Sequence, residues 1–212
     1  MYDVIIAGSG LTCSCLGIIL AKEDLKVLVI ELGKHTRFSL GETLLPQSAL
    51  WPFIIEEYFD IPEIQHLSHT DRIVDNITAS CGVKHSIGFG YHQDAQEIGL
   101  HDIHQPIPPH LPFYSESHLL QEDVDQYLLE KALEYGIDYL DETKIEKLDF
   151  LDDCVVVETN DSRFTADFLS MPPEKTLLYD NRKITLIPNT KPKQIADVFL
   201  AILKISLLWM SY

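Results

Sequence analysis

A tight glycine turn between two short apolar runs is the feature that most constrains this chain. Asp3–Ala7 is rich in β-branched apolar residues, and Gly8-Ser9-Gly10 follows it directly. Such a run predicts a strand that is buried on both faces. Leu11–Lys22 then has the small and apolar composition of a helix that packs on a sheet, and Lys26–Ile30 is a second apolar run, followed at once by Glu31. This order predicts a βαβ unit with parallel strands.

The spacing of the turn matches a dinucleotide-binding fingerprint with one substitution. Gly8 permits the tight turn, and Gly10 has no Cβ, so a pyrophosphate can touch the backbone. The N-terminus of the following helix offers N–H groups and the positive end of the helix dipole. We expect Glu31 to accept hydrogen bonds from ribose hydroxyls. The alternative is a buried strand–turn–helix without a ligand. The predicted cofactor-binding residues here are Gly8, Ser9, Gly10, Leu11, Thr12, Cys13 and Glu31.

The one substitution is Cys13, which stands where the fingerprint has its third glycine. That glycine allows close packing of helix on strand, so a small cysteine is expected to weaken the packing without loss of the fold. Cys13 and Cys15 are two apart on a helix and point to different sides, which makes them a poor metal pair. We predict two small buried residues. The histidines His92, His101, His104 and His110 follow no fixed ligand spacing, and we predict no metal site.

Charge and cysteine usage exclude several classes of protein. The net charge of −17 argues against a nucleic-acid partner and against docking on an anionic membrane. The four scattered cysteines, without a secretory signal, indicate a reduced, cytoplasmic protein. Ile195–Tyr212 is apolar and has the roughly 18 residues that a membrane span needs. Lys204 lies in its middle, however, so a membrane anchor is the weakest hypothesis.

The charge is also unevenly distributed along the chain. Residues 1–168 carry a net charge of −20, whereas residues 169–212 carry +3. Such a shift indicates a boundary at Phe168. Further elements are predicted from periodicity. They are helices at Trp51–Phe59 and Asp123–Tyr135, the latter capped by Gly136, and strands at Ser86–Tyr91, Lys144–Leu148, Cys154–Glu158 and Arg163–Phe168.

Four segments resemble those of a known family. Tyr2–Glu31 looks like the FAD-binding start of flavin monooxygenases, and Gly41-Glu42-Thr43-Leu44-Leu45-Pro46 resembles the G-E-[ST]-x-x-P segment of flavin-dependent, tryptophan-halogenase-like halogenases. Ser80–Phe89 and Glu116–Asp125 are also similar to segments of that family. The resemblance covers residues 2 to about 168. It implies a Rossmann-like FAD/NAD(P)-binding domain of the α/β class with a parallel sheet, plus part of a β-rich substrate domain inserted at about 45–115.

The resemblance also implies a cofactor, a chemistry and partners. In this family reduced FAD, supplied by a flavin reductase, reacts with oxygen to give a flavin hydroperoxide. Halide attacks it, and hypohalous acid reaches a lysine beside an electron-rich aromatic substrate; monooxygenase relatives deliver the oxygen directly. Lys84 is the only lysine between Lys34 and Lys131, so it is the catalytic candidate here. The alternative is a solvated surface lysine at a strand end.

Further residues are assigned to the flavin by the same resemblance. Gly41, Glu42 and Thr43 are expected beside the flavin, although Glu42 also fits a helix-start carboxylate. Gln121 occupies the place where relatives have an arginine that contacts the flavin. After Phe168 the family's Asp-Ala-Ser-Gly-like turn, its later Gly-Asp motif and its Trp-x-Trp-x-Ile-Pro segment have no counterpart. We therefore expect a truncated or frameshifted product, or a fragment, with 169–212 as an atypical tail.

Two functional hypotheses follow. The first is an FAD-dependent halogenase or monooxygenase that acts on a small aromatic molecule. The second is a non-catalytic dinucleotide-binding remnant or an interaction protein. A bound yellow chromophore in the purified protein separates them.

Overall fold

A computed structural model describes residues 1–35, 38, 51–86, 88–92, 99–105 and 117–171. The chain divides into two compact units. The sheet unit comprises Met1–Phe38 and Glu122–Tyr212, and the insert unit comprises Ser39–Gln121. For comparison, the sequence predicts a substrate-domain insertion at about 45–115, within the range of the insert unit.

The elements are as follows in chain order: β1 (Tyr2–Ala7), α1 (Leu11–Lys22), β2 (Val27–Ile30), α2 (Trp51–Phe59), α3 (Pro62–Gln65), α4 (Thr70–Asn76), β3 (Cys81–Val83), β4 (Phe89–Gly90), β5 (Ile103–His104), β6 (Ser117–Leu119), α5 (Gln121–Glu134), β7 (Asp138–Leu140), β8 (Ile145–Phe150), β9 (Val155–Thr159) and β10 (Arg163–Ser170). Within the described ranges, no helix is both long and apolar enough to cross a membrane.

A six-stranded sheet in the order β7-β2-β1-β10-β9-β8 forms the sheet unit. The first four strands run parallel, and β9 and β8 are antiparallel to their neighbours. β1 and β2 pair in parallel from Val4↔Val27 to Ala7↔Ile30. The predicted α/β fold with a parallel sheet is therefore confirmed. The βαβ unit is the reason that the glycine turn and the end of β2 lie at the same edge of the sheet.

Burial of apolar side chains explains why these segments form strands. Val4, Ile5 and Ile6 of β1 are all 0% exposed, as a strand covered on both faces requires. Each such side chain contributes roughly 1.5–3 kcal/mol when fully buried. α1 begins at Leu11 and ends at Lys22, as predicted, and buries Ile18 and Leu20.

The helix α5 differs slightly from its predicted bounds. It begins at Gln121 rather than Asp123 and ends at Glu134. Gly136 follows with φ of +94°, which is the left-handed conformation expected of a glycine cap. The cap prediction is confirmed.

Two strand predictions need correction, and one strand was missed. Ser86–Tyr91 was predicted as a strand, but β4 covers only Phe89–Gly90, because its partner β5 is equally short. β10 continues to Ser170, since Leu169 and Ser170 pair with β1. The charge break at Phe168 thus lies inside a strand of the sheet. β7 was not predicted at all.

The insert unit has its own small core. α2, α3 and α4 bury a set of apolar residues comprising Phe59, Ile61, Ile64, Leu67 and Ile73. The strands β3 and β6 pair antiparallel, as do β4 and β5. A buried hydrogen bond of 2.8 Å between Thr70 Oγ1 and Ser117 Oγ joins α4 to β6.

Candidate dinucleotide-binding site

The turn after β1 depends on Gly8. Its φ is +110°, a conformation that side chains other than glycine rarely adopt. The Gly8 N–H donates to the Ile30 carbonyl at 2.8 Å, which ties the turn to the end of β2. Glycine is therefore required at this position by the protein itself.

Gly10 is different, because nothing in the described protein requires it to be a glycine. It is the N-cap of α1 with φ −73° and ψ 176°, a region open to any residue. Apart from its chain neighbours, a Cβ placed there would meet only Asp125 Oδ2 among the described residues within 4 Å, at 3.9 Å. The open space beside the helix N-terminus is what a pyrophosphate needs. This turn therefore fits a dinucleotide.

The Glu31 carboxylate stabilises the glycine turn by hydrogen bonds. The residue is 2% exposed. Its Oε2 accepts hydrogen bonds from Ser9 N at 2.9 Å and from Ser9 Oγ at 3.0 Å, and its Oε1 accepts from Gly33 N at 2.9 Å. A carboxylate can accept about four hydrogen bonds. Those made to Ser9 and Gly33 hold the carboxylate at the turn.

His35 was missed from the sequence. Its Nε2 lies 2.7 Å from Ser9 Oγ, and Ser9 is fully buried. Because the single Ser9 hydroxyl hydrogen points to Glu31, His35 Nε2 must carry the hydrogen that it donates to Ser9. His35 thus orients the hydroxyl that Glu31 accepts. No spacing rule in the sequence marks this contact.

Asp125 was also missed. It lies on α5, is 2% exposed, and accepts a hydrogen bond on Oδ1 from the Leu11 N–H at 2.9 Å. The first N–H of α1 is thus capped by a residue more than a hundred positions away. The available signal was an acid beside Val124, Leu128 and Leu129 on the buried face of an amphipathic helix; buried acids are rare unless they are paired.

The two cysteines of α1, Cys13 and Cys15, are partly buried rather than fully buried as predicted. The thiol of Cys15 is nevertheless shielded: burial, and next the nearby Asp125 carboxylate, raise its pKa to about 12. Further along α1, a Cβ at Gly17 would make ordinary van der Waals contacts, at 3.8 Å with Ile137 and 3.9 Å with Ile6. The described residues contain no group of three or more side chains suited to a metal ion.

The remaining predicted site residues are distributed as follows. In the first turn of α1, Leu11 is half-buried and Thr12 is exposed. Lys84 directly follows β3 in the insert unit and is only 4% exposed. The expectation of a solvated surface lysine was therefore wrong. Gln121 is 8% exposed and opens α5. Gly41, Glu42, Thr43, His110 and Ile195–Tyr212 lie outside the described residues; His92, His101 and His104 are exposed.

The chain is similar in sequence to known halogenases. No protein-family model matches the chain. It is 36% identical over 169 residues to monodechloroaminopyrrolnitrin halogenase PrnC of Pseudomonas fluorescens, covering 79% of this chain and 30% of that protein. It is 31% identical over 160 residues to tetracycline 7-halogenase of Kitasatospora aureofaciens, covering 76% of this chain and 29% of that protein.

The fold gives the same result. Halogenase PltM, in a crystal structure with phloroglucinol and FAD, matches with a TM-score of 0.72 and 35% identity, over 84% of this chain and 36% of that one. The chain thus spans about a third of the length of the relatives it matches. By sequence and by fold, its homologues are flavin-dependent halogenases.

Proposed function

We propose that the chain binds FAD by its adenosine and pyrophosphate end, as part of a halogenase-like or monooxygenase-like oxidation of a small aromatic molecule. The observation that carries this proposal is the open space at Gly10. Neither the backbone conformation nor packing against the described residues requires a glycine there. The similarity to PltM, which was crystallised with FAD, supports the same cofactor.

The residues of the turn have separate roles in this proposal. Gly8 shapes the turn, and Gly10 lets the pyrophosphate reach the backbone at Leu11, Thr12 and Cys13. Glu31, held by Ser9, accepts a ribose hydroxyl. Its carboxylate also opposes a 2′-phosphate, so FAD is favoured over a dinucleotide such as NADP.

The flavin end is assigned by resemblance and by burial. Reduced FAD, when bound, supplies the oxygen-activating chemistry by which halide or oxygen is transferred to an aromatic ring. We propose Lys84 as the catalytic lysine, since an amine at 4% exposure is uncommon without a paired or functional role. Gly41, Glu42, Thr43 and Gln121 are the proposed flavin-side residues, and a flavin reductase is the proposed partner. The aromatic substrate is suggested by phloroglucinol in the PltM structure.

The binding part is tested by titrating FAD into the chain and following quenching of flavin fluorescence. Gly10→Val should lower the affinity by at least about tenfold, because its side chain fills pyrophosphate space. The matched control is Gly82→Val, since a Cβ at Gly82 meets no described atom within 4 Å. Apo unfolding curves of both variants exclude misfolding. Equal affinity in wild type and Gly10→Val contradicts the proposal.

The chemical part is tested with FAD, a flavin reductase, NADH, oxygen, chloride or bromide, and a panel of indoles, pyrroles and phenols. A new carbon–halogen or carbon–oxygen bond that Lys84→Ala abolishes supports catalysis by the chain itself. The second candidate function is dinucleotide binding without catalysis. It requires only the glycine turn, whose contacts with Glu31 and Asp125 the structure describes. Bound FAD with peroxide as the sole product supports this second candidate.

A further inference from the structure

The N-terminus of α1 already holds a negative group that the chain itself supplies. Asp125 Oδ1 accepts the Leu11 N–H at 2.9 Å, and Asp125 Oδ2 faces the space at Gly10. We infer that Asp125 limits the affinity of the site: its buried charge opposes the pyrophosphate at the turn and keeps the dinucleotide exchangeable. This inference rests on the proposed function, because it concerns the same turn.

The charges at the turn explain the direction of the effect. A helix N-terminus provides about half a positive charge, whereas Asp125 brings a carboxylate that is 2% exposed and is poorly screened by salt. Like charges in such a site repel each other more strongly than they do in water. The Asp125 charge also acts on the first turns of α1, since it is the second cause of the raised pKa of Cys15. Glu31 supplies another buried acid at the same turn.

The capping role and the charge of Asp125 can be separated by substitution. In Asp125→Asn the amide oxygen can still accept the Leu11 N–H, while the charge is removed. Asp125→Ser is a second neutral variant, in case the asparagine does not fold. Glu130→Gln is the matched control, because Glu130 lies on the same helix, loses the same charge and is exposed.

The experiment is calorimetric titration of the full chain with ADP, FAD and adenosine. ADP retains the pyrophosphate, whereas adenosine carries no phosphate. We expect Asp125→Asn to bind ADP and FAD about three- to tenfold more tightly than wild type, which is the effect of one partly screened charge. Adenosine affinity should be unchanged, and Glu130→Gln should match wild type with all three ligands.

The outcomes distinguish this inference from the proposed function. If wild type binds ADP and Gly10→Val does not, but neither neutral Asp125 variant binds ADP more tightly, the inference is overturned and the proposed function stands. Equal tightening for adenosine also overturns it, because the effect is then not one of phosphate charge. If wild type binds neither ADP nor FAD, the proposed function fails and the inference fails with it.

Discussion

Replacement of Glu31 should destabilise the apo protein as well as weaken dinucleotide binding. Its carboxylate accepts hydrogen bonds from Ser9 N, Ser9 Oγ and Gly33 N. In Glu31→Ala the fully buried Ser9 N–H loses its acceptor, at a cost of about 1–3 kcal/mol. The half-buried Gly33 N–H costs less, because water can reach it. The Ser9 hydroxyl can donate to His35 Nε2, 2.7 Å away, once the imidazole hydrogen moves from Nε2 to Nδ1, so its loss costs little. The expected loss of unfolding free energy is about 2–4 kcal/mol.

The assay for Glu31 is urea denaturation of the apo protein, followed by circular dichroism. Glu31→Gln should fall between wild type and Glu31→Ala, because an amide presents one acceptor oxygen where the carboxylate has two. Glu146→Ala is the control: Glu146 is exposed on β8, and its loss should change stability by less than about 0.5 kcal/mol. If Glu31→Ala unfolds at the same urea concentration as wild type, the carboxylate does not hold the turn.

Three further predictions follow from the same structure. Gly8→Ala should destabilise the apo protein by about 1–3 kcal/mol, since φ is +110°, whereas Gly10→Ala should change its unfolding free energy by less than about 1 kcal/mol; equal losses in urea melts contradict this. Lys84 should acetylate more slowly than Lys34, whose side chain is 68% exposed, when peptides are compared by mass spectrometry; equal rates contradict its burial. The Cys15 pKa rises from 9.0 to about 12 on folding, so the contribution of the protonated thiol to the free energy of unfolding is complete below pH 9 and is lost as pH rises towards 12. In Cys15→Ala the free energy of unfolding should fall less steeply between pH 9 and pH 12, and an unchanged pH dependence contradicts the raised pKa of Cys15.

The βαβ unit could be predicted because its determinants are local. β1 and β2 are continuous apolar runs, the turn needs glycine at Gly8, and α1 ends where Lys22 and Glu23 begin a polar stretch. The glycine turn could be predicted for the same reason: Gly8 and Gly10 lie between β1 and α1, and Glu31 directly follows β2.

The features that could not be predicted from the sequence depend on contacts between distant residues. β7 has three residues and begins with Asp138, so it lacks a strand pattern; it forms because Leu28, Val29 and Ile30 of β2 offer it a parallel edge. Asp125 reaches Leu11 across 114 positions. Local periodicity cannot predict a contact between residues so far apart. The burial of Lys84 was missed because a lysine at a strand end is ordinarily solvated.

A competition measurement on the full 212-residue chain tests whether the glycine turn binds FAD. FAD, ADP and FMN are titrated separately by calorimetry, and ADP and FMN are then used to displace bound FAD. Because Ser9, Glu31 and the space at Gly10 form the proposed site for the adenosine and pyrophosphate end, ADP should bind on its own and should displace FAD. Displacement of FAD by FMN but not by ADP would show that FAD is held by its flavin end and would contradict binding by the glycine turn.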